Sequence, residues 1–497
     1  MKKQRLPALL LALLLTSVSC GAAPSGGTPS DETTLPPETT AEPETSAAKE
    51  PSGVPEGTDL EGETINIWYT TKATSVAETF VDIAGEMTGD VMSDTIYNLN
   101  KGVEDKLNCT LNFYNSECPT SDTGTDVRKL IMSDDTTYDV FHAVQWNAAK
   151  LAADGMYLNV WGNKYLSLDK PWWNESYMEE MTVGEGSVYA LVGDYTVDRT
   201  RCLANVYYNK NMYDDFYQNA EGLYEDVMAG KWTWDRLREI SATVWNDLDS
   251  DGVPSWDDRL GFGINDYNNI DALFYGTGTR VTTRDKNNLP VLSLNTERTA
   301  NVVKKLYQFC FDTPGGFMYG PEYTDDVKNR QKFEDGESMF LFGFFYTAEA
   351  MREMTDDYGI LPYPKFDESQ QNYVSVVHDI MRIMVLPANC QKTDAVCAVL
   401  EQLSHDGYYD LLPAYYDILM KNKYARDSLS AEMVDIIREG CVTDIAYVYG
   451  DPFNQMGYLQ RTFIQQKKDD FASEYAKKET ATITAIDKFV GQFESIK

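Results

Sequence analysis

Trp245 to Gly263 reads WNDLDSDGVPSWDDRLGFG. Counted from Asp247, acids fall at positions 1, 3, 5 and 12, with Gly252 at 6, Val253 at 7 and Ser255 at 9. Carboxylates at such spacing, a turning glycine, a backbone carbonyl and a hydroxyl together supply the roughly six to eight oxygens that Ca2+ takes. The twelfth position is Asp258 rather than Glu, which shortens the bidentate arm and points to modest affinity. Millimolar extracellular calcium would still fill such a loop. There is one loop, entered from a helix and left by a strand, and a sensor needs a helix pair that opens. The expectation is a structural calcium clip held by Asp247, Asp249, Asp251, Val253, Ser255 and Asp258; the other reading of the same residues is a solvated acidic turn.

Other chemistry is sparse. The only histidines are His142, His378 and His405. HExxH, paired CxxC, GxSxG and GxxxxGK are all absent. GFGIND and GTGTRV begin like a dinucleotide fingerprint but lack its third glycine. Two converging carboxylates could serve glycoside cleavage, yet nothing local singles out a pair among 78 acidic residues. Against 43 basic residues these leave a net charge of −35, which argues against nucleic acid as a partner and against a basic membrane-surface protein. The 32 Tyr and 9 Trp suit a binding cleft as well as a core.

Several elements must position these residues. Lys2, Lys3 and Arg5 precede an apolar run, 6–15, that is too short to span a bilayer, so residues 1–20 read as an export signal. It ends TSVSCG, similar to the bacterial lipobox, although Ser17 stands where Leu is preferred. The expectation is lipidation of Cys20 and an anchor on the extracellular face of the cell membrane; the alternative is ordinary cleavage. Residues 21–62 are Pro, Thr, Ser and Glu with few large apolar side chains. They read as a disordered tether with a mean reach of about 35 Å. The seven later cysteines do not form a disulfide framework. Cys310 and Cys397 sit in apolar settings typical of buried thiols, and Cys109 and Cys118 could pair across a strand end.

TINIWYT, CTLNFYN and YDVFHAV read as strands separated by helical stretches, and AAKLAADG as a further helix. This order predicts an α/β protein with a parallel sheet covered on both faces. VYALVGDYT and CLANVYYNK read as paired strands. KWTWDRLREISATVWND reads as a helix capped by Thr233, with Asp235 in its first turn. RLGFGIN, ESMFLFGFF and DIMRIMVLP are strands, KTDAVCAVLEQLS is a helix, and the C-terminus is helical.

In this order the segments resemble the extracellular sugar-type (family 1) solute-binding proteins of ABC importers, the class that includes the maltose-binding protein. The resemblance runs from about Glu63 to the C-terminus and rests on NVYYNKNMYDD, KWTWDRLREIS and the acidic DLDSDGVPSWDDRLGFGIN turn together. It implies a two-lobed, periplasmic-binding-protein-like type II fold with a ligand cleft. Lobe one is placed at 63–192 and 375–440, and lobe two at 193–374 and 441–497. It implies a lipid-anchored importer subunit that captures an oligosaccharide without altering it and presents it to permease subunits. A calcium clip at the acidic turn is familiar in this class.

Ligands meet the carboxyl ends of strands, aromatic rings matching sugar faces and carboxylates or amides matching hydroxyls. The expected contacts are Trp68 and Tyr69 after the first strand, and His142, Gln145 and Trp146 after YDVF. Asp194 and Tyr195 follow at a crossing, Tyr267 and Asp271 after GFGIN, and Phe344 and Phe345 after FLFG. His378 and Asp379 begin the return segment. The alternatives left open are a polyamine or peptide ligand on the same fold, a surface glycoside hydrolase, and a calcium-dependent adhesion module.

Overall fold

In the first strand, Glu63–Tyr69, Ile65 and Ile67 alternate with Thr64 and Asn66 and are wholly buried. The computed structural model describes residues 49–74, 80–320, 322–419 and 428–496. Cys20, the export signal and residues 21–48 lie outside the described residues. Glu50–Lys497 forms one compact unit. Within it Glu63–Tyr69 pairs in parallel with Cys109–Asn115 and Val140–Val144, and Arg382–Val385 returns antiparallel to Val140–Val144.

The crossover after the first strand contains helix Val91–Leu107. Asp90 accepts from the Ser93 N–H at its start, and Asn108 ends it in the left-handed region at φ 48°. Ile96, Leu99, Val103 and Leu107 recur at three- and four-residue spacing and turn one buried face to the sheet.

The second sheet runs Tyr358–Leu361, Ala204–Asn209, Ser338–Phe344, Leu260–Asn265, Gly316–Tyr319. Ala204–Asn209 runs antiparallel to both of its neighbours, and the last two strands extend the sheet in parallel from Ser338–Phe344. Every residue of Ser338–Phe344 is buried, as a strand covered on both faces requires. Helix Trp234–Val244, with the expected Thr233 cap on the Arg236 N–H, covers one face. Phe262 and Phe309 stack there at 4.9 Å, with Trp234 tilted onto Phe309 at 5.5 Å.

Some expectations change. VYALVGDYT is not a strand: Leu191 and Gly193 make only isolated bridges, to Met384 and Trp173. Gly193 lies so close to Ser404 and Trp173 that a Cβ would meet both at 2.7 Å. Ala204–Asn209 therefore takes its partners from later in the chain. AAKLAADG is a 3-10 turn, Ala149–Asp154, rather than an α-helix. Cys109 and Cys118 do not pair; both are free thiols.

Residues 50–62, read from composition as tether, lie on the body. The Glu401 carboxylate is wholly buried and accepts from Gly53 N (2.7 Å), Ser167 N (3.1 Å), Trp172 Nε1 (3.1 Å) and Trp173 Nε1 (2.6 Å). Ser52 Oγ donates to Gln402 Oε1 at 2.9 Å, and Val54 is buried. Helix Ser428–Glu439, placed in lobe one, packs on the Tyr358–Leu361 strand of the second sheet, with Ser430 Oγ 3.0 Å from Tyr224 Oη. The last helix, Phe471–Ile496, touches both halves, packing on Ala149–Asp154 and on Pro290–Leu292. No helix among the described residues is long and apolar enough to cross a membrane.

Candidate functional site

A cleft of about 710 Å3 opens between the two sheets. This is the size of small-molecule sites in general, roughly 300–1,000 Å3. Thr74, Thr120, Ser121, Trp146 and Lys150 contribute from the first half, and Asn265, Tyr267, Tyr319, Asp326 and Phe344 from the second. His378, Asp379, Asp451, Tyr458 and Arg461 close it from the return and C-terminal segments.

Aromatic surface is present on both walls. Trp146 follows the all-buried Val140–Val144 strand and remains 38% exposed. Opposite, the half-buried Tyr346 lines the cleft and stacks at 5.3 Å and 16° on Phe344, a buried ring that ends its strand, with the His378 ring edge-on to it at 4.5 Å. Tyr458 carries the Arg461 guanidinium 4.4 Å above its ring.

The polar groups are held by the protein. Arg461 Nε lies 2.9 and 3.0 Å from the two Asp271 oxygens, and Arg461 Nη2 lies 3.5 Å from Asp379 Oδ2. Burial holds Asp271 above the usual carboxylate range despite that cation. Burial also pulls Asp379 upward, but His378 and Arg461 outweigh it and hold the carboxyl low. His378 Nδ1 lies 3.0 Å from both Asp379 Oδ1 and the Ile380 nitrogen, and its Nε2 lies 3.0 Å from the Asn268 amide.

Of the residues expected from sequence, the cleft gathers Trp146, Tyr267, Phe344, His378 and Asp379. The others do not line it. Trp68 is buried edge-on against Phe141, and Tyr69 donates to Asp82 at 2.7 Å. His142 is wholly enclosed; burial, then the Arg382 charge, push it down to about 3. Gln145 is buried, accepting from Tyr177 Oη at 2.8 Å and donating to His378 O at 3.0 Å. Asp194 is half-buried, and desolvation pushes it up to about 7. Tyr195 donates to Leu191 O at 2.9 Å. Asp271 stands behind Arg461, and Phe345 is wholly buried beside the cleft-lining Phe344. The segments after Val140–Val144, Leu260–Asn265 and Ser338–Phe344 border the cleft and the Asp194–Tyr195 crossing does not; within each segment the direction of a side chain depends on local turns. Tyr319, Asp326, Tyr458 and Arg461 were not anticipated. Tyr319 does end a strand, whereas Arg461 sits on helix Leu459–Gln465 with no local cue.

The acidic turn joins helix Trp234–Val244 to strand Leu260–Asn265, closed by reciprocal Asn246–Arg259 backbone bonds of 3.1 and 3.2 Å. Asp247, Asp249 and Asp258 each bring a carboxylate oxygen within 4.8 Å of the other two. Asp258 is wholly buried and accepts from Leu248 N and Ser255 N. Asp247 Oδ2 accepts from Gly252 N at 2.9 Å, where φ is 78°, while its Oδ1 is buried with no hydrogen-bond partner. That orphaned acceptor beside two further carboxylates fits a cation. Asp251 stands outside the cluster, its Oδ1 accepting from Val253 N, and Ser255 Oγ accepts from Asp257 N.

No protein-family model matches the sequence, and no curated protein matches it. Solved structures do. A cyclo/maltodextrin-binding protein complexed with maltotetraose aligns at TM-score 0.53 and 10% identity, over 88% of this chain and 97% of its own. An ABC transporter solute-binding protein from Thermotoga lettingae, bound with alpha-D-tagatose, aligns at TM-score 0.53 and 11% identity, over 86% and 100%. The maltose-binding protein MalE of Listeria monocytogenes, in complex with maltose, aligns at TM-score 0.53 and 13% identity, over 86% and 98%. The chain has the two-lobed, type II α/β fold of these solute-binding proteins.

Proposed function

We propose that the chain is the substrate-binding subunit of an ABC importer and captures an oligosaccharide in the cleft between its lobes. The observation that carries this reading is the lining: rings on both walls, and charges already committed within the protein. Lys150 pairs with Asp451 at 2.7 Å, Arg461 with Asp271 and Asp379, and Arg330 with Glu334 at 3.5 Å. Among the described residues the lining holds three acids, Asp326, Asp379 and Asp451, against three bases, Lys150, Arg330 and Arg461. A polyamine site needs acids in excess, so the balance favours an uncharged ligand. Flat C–H faces suit Trp146 and Tyr346, and hydroxyls suit the amides and carboxylates between them.

Each lobe supplies part of the lining, so contacts are complete only when both approach one ligand. Binding then favours the closed arrangement by its differential affinity, and that arrangement is what permease subunits would recognise. No bond of the ligand is broken. Lipid at Cys20 would hold the protein on the extracellular face of the membrane. Ca2+ at Asp247, Asp249 and Asp258 would fasten helix to strand, away from the ligand. Calorimetry against a panel of oligosaccharides tests the reading. Stoichiometric binding with no turnover is expected, whereas hydrolysis of the glycan would establish the glycosidase alternative instead.

A further inference from the structure

Three donors converge on one carboxylate in the wall formed by the second sheet. Tyr267 Oη donates to Asp326 Oδ2 at 2.6 Å, Tyr319 Oη to Oδ1 at 3.0 Å, and Asn265 Nδ2 to Oδ1 at 3.0 Å. The Asn265 amide is fixed in orientation, because its Oδ1 accepts from the backbone N–H groups of Tyr267 (3.3 Å) and Asn269 (3.1 Å). Its Nδ2 must therefore face Asp326. All four residues line the cleft. Burial, then the charge of Asp326 and its hydrogen bond, push the Tyr319 phenol well above its ordinary value, so the proton stays on that oxygen. A phenol has one proton to donate and lone pairs to accept with. With their protons committed to Asp326, the two phenol oxygens can only accept.

We propose that Asp326 sets which ligands this wall admits: by drawing the protons of Tyr267 and Tyr319 to itself, it leaves an accepting surface that selects free sugar hydroxyls and turns away carboxylated or sulfated glycans. The inference rests on the carbohydrate reading and narrows it to neutral glycans. A carboxylate or sulfate offers only lone pairs, and here it would meet two phenol oxygens and the Asp326 charge. Among the described residues, the cations of the lining each face an acid of the protein, Lys150 facing Asp451, Arg330 facing Glu334 and Arg461 facing Asp271, which lessens their attraction for an anion.

The test is calorimetry of the purified chain against matched glycans: neutral maltooligosaccharides and raffinose-type oligosaccharides, each beside its uronate and sulfate derivative. Neutral glycans are expected to bind at least about tenfold tighter than their anionic counterparts. In Asp326→Asn the carboxamide donates to one phenol and frees that proton toward the ligand, so the ratio is expected to shrink about tenfold. Tyr267→Phe keeps the ring but loses the accepting oxygen. It is expected to weaken neutral binding about three- to tenfold without admitting anions. Melting temperatures establish that each variant is folded; if Asp326→Asn is not, Tyr267→Phe decides alone, and unchanged neutral affinity overturns the inference. Anionic glycans binding as tightly as neutral ones, or a folded Asp326→Asn with its preference intact, also overturns it. Binding of no glycan at all overturns the carbohydrate reading itself, and the inference falls with it.

Discussion

Asp198 and Arg382 face each other in a buried two-pronged ion pair, Nε to Oδ2 at 2.5 Å and Nη2 to Oδ1 at 2.9 Å. Asp198 begins the short helix Asp198–Arg201 that leads toward the second sheet, and Arg382 begins the strand that returns to the first. Arg382 also donates to Thr70 O and Val81 O, so the guanidinium ties several segments together. At the other end of that helix Arg201 grips Glu349 at 2.8 and 2.7 Å. The crossing is thus fastened on both sides.

Removing one partner of such a pair leaves a buried charge uncompensated. Arg382→Met is expected to cost about 3–5 kcal/mol of stability, and Arg382→Met with Asp198→Leu to recover much of it. Urea denaturation of the two variants beside wild type measures both values. A single variant as stable as wild type would contradict the pairing.

His142 predicts an acid weakness. Its pKa falls to about 3 in the fold, from an unfolded value near 6.5. The unfolded chain therefore binds the extra proton between these limits, and stability is lost as pH falls from about 6.5 toward 3, by up to about 1.4 kcal/mol per pH unit. Asp194, raised to about 7, pulls the opposite way. Comparison with His142→Phe isolates the effect: the variant's stability should fall less steeply over that window. Parallel profiles would refute it.

Cleft lining and core packing separate at two aromatic positions. Trp146→Ala is expected to keep its melting temperature and weaken oligosaccharide binding about thirtyfold or more, as truncation of an aromatic anchor does. Phe345→Ala is expected to destabilise the fold by about 3–5 kcal/mol, because that ring is wholly enclosed. Calorimetry and thermal melts on both variants check the contrast.

If the acidic turn holds Ca2+, chelation should lower the melting temperature while glycan binding persists. Asp249→Ala, at an exposed ligand position, should abolish the calcium dependence with little change in the chelated protein. Equal melting with and without calcium would leave the turn an acidic loop. Loss of glycan binding on chelation would favour the adhesion alternative.

Much of the fold was legible because its strands announce themselves. Ile65 and Ile67 alternate, and the apolar runs at Val140–Val144 and Ser338–Phe344 are buried throughout. The acidic turn was legible because its spacing is local. The cleft was legible only in part. Phe344 and Phe345 are neighbours of one type and both are buried, yet only the first borders the cleft. Arg461 reaches Asp271 across 190 residues of chain, and no window of sequence contains both. Nor does composition reveal that Glu401 draws Gly53 onto the body.

That last contact has a mechanical side. Glu50 is gripped by Lys170 at 2.8 Å and by His405 Nε2 on its carbonyl at 2.6 Å, just before Gly53 meets Glu401. Glu401 and His405 belong to helix Thr393–Asp406, which packs beside the first sheet. If Cys20 carries a lipid, a pull arriving at Glu50 would be delivered to that half of the protein first, and the second sheet would feel it only through the crossing segments.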